Sequence, residues 1–215
     1  MTTKITEQDE TRASLYWWFA SLFSQELTAE QLKQYRASPL GQGRALLNAL
    51  AEQKEFNDAA NAVITALDNL VKLPHPELEL AADFSQLLLT DLKTGAPPYA
   101  SLYLDQKGLL FQQPHDDMQA LLQDQGLRIT PDFNEPADHL AIQLDYLGNL
   151  ILQTSTQDPQ AQHQFIQRHL LNWLPQWVTR SRQVRRNGFY PALAQLLLQF
   201  IEQDSQQPQP VAAHI

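Results

Sequence analysis

Phe133-Asn134-Glu135-Pro136-Ala137-Asp138-His139 opens the most regular apolar pattern in the chain, which runs on to about Leu152. A proline suits the first helical position, where its missing N–H costs nothing and its φ is already helical, and it keeps the residue before it out of the α region. The helix is therefore expected to start near Pro136. At about 100° per residue, Leu140, Leu144, Leu147 and Ile151 fall within roughly 60° of one another and form a buried stripe. On the same wheel Asp138 points nearly opposite, with His139 between, so the core is expected to hold the helix and leave Asp138 free. The plainer reading of these two residues is that Asp138 complements the positive end of the helix dipole and His139 is an ordinary flank residue.

Around this stretch the composition favours helix: 43% hydrophobic, 18% charged and only 7 Gly in 215 residues, with many Leu, Ala and Gln. The expected fold is all-α, a helical bundle. The chain has no Cys, which excludes disulfides, Cys-ligated zinc, iron–sulfur ligation and a thiol nucleophile, and suits a reducing cytoplasm. No basic start is followed by an apolar run, and no stretch reaches the about 18 apolar residues of a membrane span. A cytoplasmic protein without a membrane partner is expected. The net charge of −9 argues against nucleic acid, because neutralising phosphates needs a basic surface. Charge is also uneven, with Glu77, Glu79, Asp83 and Asp91 unaccompanied by a base, and Arg168, Arg180, Arg182, Arg185 and Arg186 unaccompanied by an acid. The two regions are expected to face each other or different partners.

Taken in order, residues 1–8 read as frayed, and a core helix from about Glu10 to Ser24 places Leu15, Trp18, Phe19 and Leu22 inward, with Trp17 and Phe23 widening the face. Thr28 with Gln31 makes a capping box for a second helix ending before Pro39. Helices follow from about Arg44 to Glu52, Asn57 to Leu73 and Glu77 to Leu92. The last of these places Leu78, Ala81, Phe84 and Leu88 inside and Glu79, Asp83 and Gln86 on a narrow polar side. From Thr94 to Pro114 the helical pattern breaks, yet Tyr99, Leu102, Tyr103, Leu104, Leu109, Leu110 and Phe111 crowd into it. Such a segment reads as a loop held against a surface, although Leu102 and Leu104 read better as plugs of the core. A short helix from His115 to Gln125 ends at Gly126. Beyond Asp158-Pro159 a long helix runs to about Arg186 with a kink or break at Pro175, and a last helix carries Phe189 to Ile201. The expected organisation is an N-terminal subdomain (1–125), a hinge (126–135) and a C-terminal subdomain (136–215) with a polar, disordered tail from Ser205. A hinge of about ten residues makes a monomer with a domain-swapped dimer an expectation.

Glu135-Pro136-Ala137-Asp138-His139 resembles the Glu-Pro-x-Asp-His signature of the TorD-like family, cytoplasmic maturation chaperones for molybdenum-cofactor oxidoreductases. Pro98-Tyr99-Ala100-Ser101-Leu102-Tyr103 resembles that family's Pro-aromatic-x-Ser-x-Tyr segment, and Leu78 to Phe84 the helix before it; the likeness spans about residues 12 to 204. It is greatest to the branch whose client is periplasmic trimethylamine N-oxide reductase. The resemblance implies a protein that is not an enzyme and that binds the client's twin-arginine signal peptide and its apo form. It shields both, and holds the apoenzyme open for cofactor insertion, a step that would also bring it to molybdenum-cofactor biosynthesis proteins. Arginines of the signal peptide would meet carboxylates in an apolar groove. The candidate client-binding residues are Asp83, Phe84, Tyr99, Ser101, Tyr103, Glu135, Pro136, Asp138 and His139, on three segments expected to converge. No resident cofactor or metal is implied, only weak GTP binding, for which no nucleotide motif is visible.

The alternative from a different class is a metal- or nucleotide-dependent hydrolase using Glu135, Asp138 and His139. Adjacent helical residues diverge by about 100°, no third metal ligand is placed by spacing, and no Gly-x-Ser-x-Gly elbow supplies a nucleophile. Arg185-Arg186 is not itself an export signal, because it precedes an amphipathic helix near the other end of the chain; an exposed helix C-terminus is the expected setting.

Overall fold

The computed structural model describes residues 5–36, 41–154 and 159–206, and among these the chain is helical, its β-type pairing being an isolated bridge between Tyr99 and His139. The helices are α1 (Glu7–Ser24), α2 (Ala29–Lys33), α3 (Gln42–Glu52), α4 (Asn57–Leu70), α5 (Pro76–Leu88), α6 (Ala100–Leu104), α7 (Gln113–Asp124), α8 (Leu140–Thr154), α9 (Pro159–Phe165), α10 (Leu174–Val184) and α11 (Phe189–Gln206), with a π-helical turn over Ile166–Leu171. Ser205 and Gln206 complete α11, whereas the rest of the polar tail, Pro39 and Asp158 lie outside the described residues. None of the described helices is long and apolar enough to cross a membrane.

The chain forms two compact units, each drawn from both halves of the sequence. Unit 1 holds residues 1–24, 99–173 and 204–215, and unit 2 holds 25–98 and 174–203. The 126–135 segment, expected to divide the protein, lies wholly inside unit 1 between α7 and α8. Turn chemistry marked that segment as a loop; which helices share a core is settled by contacts far apart in sequence, which turn chemistry does not report.

In unit 1, α1 packs along α8, and Gly148 permits it: a Cβ there would lie 2.5 Å from the Trp17 indole nitrogen. Leu140, Leu144, Leu147 and Ile151 are buried as their spacing requires. α1 starts at Glu7 because Thr6 and Asp9 cap each other, the Asp9 N–H donating to Thr6 Oγ1 and the Thr6 N–H to Asp9 Oδ2, both at 3.1 Å. Its buried face is Ala13, Tyr16, Phe19, Ala20, Leu22 and Phe23. Leu15, Trp17 and Trp18 are only half-buried, correcting the expected register. Tyr16 belongs inside because its hydroxyl donates to the buried Asp204 carboxylate at 2.7 Å, which also accepts Arg12 bidentately at 2.7 and 2.9 Å. α7 ends in a Schellman motif: Gly126 is left-handed at φ 65°, its N–H donates to Gln123 O, and the Leu127 N–H reaches Leu122 O.

In unit 2, the Thr28–Gln31 capping box forms as expected, and Arg44 donates to Asp68 at 2.6 Å between α3 and α4. Pro175 stands in the first turn of α10 and breaks the expected long helix, although the π-helical turn before it was not anticipated. Phe84 meets Tyr190 edge-on at 5.2 Å, and Trp177 donates from its indole to Ala96 O at 2.9 Å. The buried face of α5 includes Leu80, Asp83, Phe84, Leu87 and Leu88, so Phe84 and Leu88 lie inside as expected, while Leu78 is 63% exposed. The expected face is thus corrected at two positions, with Asp83 inside and Leu78 outside. The reason is Arg185, whose guanidinium sits 2.5 Å from the Asp83 carboxylate and makes its burial tolerable. Arg180 donates to the carbonyls of Leu92, Lys93 and Gly95. Within unit 2 the acid-rich and arginine-rich stretches do face each other, so Arg185 has a partner beyond the end of its own helix.

Candidate functional site

In unit 1 the Tyr99–Ser101 segment meets the Glu135–His139 segment. Tyr99 and His139 form an antiparallel bridge, and the Ala100 N–H donates to Asp138 O at 3.2 Å. α8 begins at Leu140, not at Pro136. Pro136 to His139 is a turn, with the His139 N–H on Pro136 O at 2.9 Å, and His139 caps the helix, its ring Nδ1 accepting the Ala141 N–H at 3.1 Å.

This turn overturns the expectation that Asp138 is free. Off the helix, the wheel argument does not govern its direction, and Asp138 is 0% exposed. Its Oδ2 accepts the Ser101 N–H at 2.7 Å, a charge-assisted bond to the first turn of α6. Oδ1 has no hydrogen-bond partner among the described residues and lies 4.0 Å from His115 Nδ1. That nitrogen accepts the Ala137 N–H at 2.9 Å, which ties His115 to the turn. Ser101, also fully buried, passes the chain of bonds onward: its Oγ accepts the Gln112 N–H at 3.2 Å, at the start of α7.

Tyr99 donates its hydroxyl to Glu135 Oε2 at 2.7 Å and meets the His139 ring edge-on at 5.0 Å; Phe133 closes on the same ring at 5.2 Å. Burial, with the Glu135 carboxylate beside it, holds the Tyr99 hydroxyl well above its ordinary range, so it remains a donor. Burial alone pushes His139 down to about 3. Tyr103 stacks on Trp173 at 5.5 Å, and that indole donates to His169 O and Gln143 Oε1.

Of the expected site residues, Tyr99, Ser101, Tyr103, Glu135, Pro136, Asp138 and His139 share unit 1, while Asp83 and Phe84 belong to unit 2. His115 and Gln112 were missed. Neither carries a spacing signal, and only the fold brings them to Ala137 and Ser101. The hydrolase alternative finds no support in this arrangement, because Glu135, Asp138 and His139 are each engaged in a structural hydrogen bond, with Tyr99, Ser101 and Ala141 respectively. No group of three or more His, Asp or Glu suited to a metal ion occurs among the described residues.

A loop next to this network has a different character. Leu104 is 39% exposed, Leu109 53%, Leu110 37% and Phe111 61%. The expectation that Leu104 plugs the core is therefore corrected: α6 ends at Leu104 and the chain turns outward, with the Lys107 N–H on Asp105 Oδ2 at 2.7 Å and Gly108 left-handed at φ 59°.

Comparison with known proteins follows the same lines. The family model for the nitrate reductase delta subunit matches residues 51–179. The chaperone protein TorD of Vibrio vulnificus (strain YJ016) is 42% identical over 213 residues, covering 95% of this chain and 98% of that protein. The chaperone protein TorD of Aliivibrio salmonicida (strain LFI1238) is 42% identical over 204 residues, covering 91% and 94%. A crystal structure from Archaeoglobus fulgidus, assigned to redox enzyme maturation, superposes with a TM-score of 0.51 at 16% identity over 94% of this chain and 98% of that one, a likeness of fold.

Proposed function

Since this chain belongs to the TorD-like family of chaperones, we propose that it matures a molybdenum-cofactor oxidoreductase of the trimethylamine N-oxide reductase kind. It binds the twin-arginine signal peptide and the apo form of that client in the cytoplasm, shields both before export, and keeps the apoenzyme open for its cofactor. The observation that supports this most is identity of 42% over nearly the whole length of a TorD chaperone, in a chain where the Tyr99–Ser101 and Glu135–His139 motifs meet in one network. The physical demands of the task also agree with the chain. A signal peptide presents an apolar run behind an arginine pair, and this protein has a net charge of −9 and exposes apolar side chains in both units.

Calorimetry of the purified full chain against the signal peptide of trimethylamine N-oxide reductase tests the reading. Binding that exceeds that of an unrelated twin-arginine peptide and weakens when the arginine pair is replaced is the expected result. Equal binding of both peptides, or none, would contradict it. Titration with guanosine triphosphate in the same cell tests the weak nucleotide binding that the resemblance implies.

A further inference from the structure

We infer that the loop from Leu104 to Phe111 is the docking surface for the apolar run of the client peptide, with the carboxylates of Asp105, Asp116 and Asp117 receiving its arginines. This rests on the client reading above and gives it a location.

Singly exposed apolar residues are ordinary on any protein, but Leu109, Leu110 and Phe111 are consecutive and Leu104 stands just before them. Three large apolar side chains in a row, each more than a third exposed, cannot all be the solvent face of one element with a buried alternate. The loop is also held in place. Phe111 is left-handed at φ 58°, a conformation that is unfavourable for a bulky residue and persists only where the surroundings enforce it. They do so from both ends. The Ser101 N–H is fixed by Asp138 at the start of α6, the Gln112 N–H by Ser101 Oγ at the start of α7, and the Phe111 ring rests edge-on against His115 at 5.0 Å. The buried motif residues therefore act as positioning groups for an exposed surface.

Charge selects the occupant. Asp116 and Asp117 are exposed in the first turns of α7, and Asp105 closes the loop's other end, against Lys107 as the base between them. A partner must be apolar with basic residues at its margin, which an arginine pair leading an apolar run satisfies. A second copy of this chain, with its net charge of −9, would bring like charges together.

The test uses the full chain, the client's synthetic signal peptide and the same peptide with its arginine pair replaced by glutamine. The double variant Leu110→Ser/Phe111→Ser is expected to melt like the native protein and to lose about tenfold or more in affinity for both peptides, as truncation of an aromatic anchor does. Asp116→Asn/Asp117→Asn should weaken the arginine peptide alone and flatten its salt dependence. If the folded serine variant binds both peptides as the native protein does, the inference is overturned while the client reading stands, since the native protein binds. A native protein that binds neither peptide overturns both. Unchanged peptide affinity together with loss of a dimer in light scattering would assign the loop to self-association and overturn the inference as well.

Discussion

Residues 135–139 and 104–111 share unit 1 and are tied by hydrogen bonds through Ser101 and Gln112, yet they differ in nearly every physical respect. The first segment carries the family signature, and its Pro136, Ala137, Asp138 and His139 are buried. The second carries no signature and leaves Leu104, Leu109, Leu110 and Phe111 in solvent. The lesson is that a sequence signature here marks the residues that build a surface, whereas the surface itself is written in the apolar side chains of a loop that carries no motif. Polar groups that hold a turn must be of one kind at each position; an apolar contact surface tolerates many.

The sharpest way to break this contrast is Asp138→Ala. It leaves the buried Ser101 N–H without an acceptor, and a loss of about 2 to 3 kcal/mol in a denaturant titration is expected. Asp138→Asn should lose less, because an amide oxygen can still accept that N–H. An Asp138→Ala protein as stable as the native one would restore Asp138 as an accessible client carboxylate.

A second test is pH. His139 is buried neutral, with its folded value lowered from 6.5 to about 3. Below 6.5 the unfolded chain therefore binds a proton that the folded chain refuses, so this group's stabilising contribution, complete above 6.5, is lost as pH falls toward 3. The slope is up to about 1.4 kcal/mol per pH unit. His139→Asn, which keeps a capping acceptor, should flatten stability against pH over that window. A native protein whose stability is level there would contradict the burial of His139.

A third, smaller effect is expected for Ser101→Ala. Losing the acceptor for the Gln112 N–H should cost about 1 kcal/mol and speed amide exchange over residues 104–112 more than over 135–139. Uniform faster exchange would mean that Ser101 does not position the loop separately.

The smallest lies in unit 2. Burial raises the Asp83 carboxyl above its ordinary 3.8, with Arg185 opposing the shift. The folded state then holds that proton more tightly than the unfolded one, so Asp83 takes away stability as pH rises from 3.8 through its folded value. Asp83→Asn should make the decline over that window shallower, read by thermal melting at successive pH values. A steeper decline would mean that Arg185 outweighs burial.

Much of this fold was legible in the sequence. The Leu140 to Ile151 stripe, the Thr28 cap, the Gly126 stop and the Pro175 break all depend on residues within a few positions of one another, and local physics decides them. The errors have the opposite origin. Asp138 was placed by a helical wheel that does not apply, because the helix begins after it; its partner is Ser101, far back in the chain. Asp83 looked exposed because nothing near it in sequence is cationic, and Arg185 arrives from α10's end. Leu104 looked like core because an apolar residue in a loop usually is. Which side chains find distant partners is a tertiary property, and the candidate site consists largely of such pairs.

Hydrogen exchange of the full chain with and without the client signal peptide tests the central claim most directly. The account predicts that amides 109–111 exchange faster in the free protein than their hydrogen-bonded neighbours Lys107, Gly108 and Gln112 and become protected on binding, while those of Ala137, His139 and Ala141, already hydrogen-bonded to His115, Pro136 and His139, change little. Protection that appears at Ala137, His139 and Ala141 and leaves 109–111 untouched would contradict it.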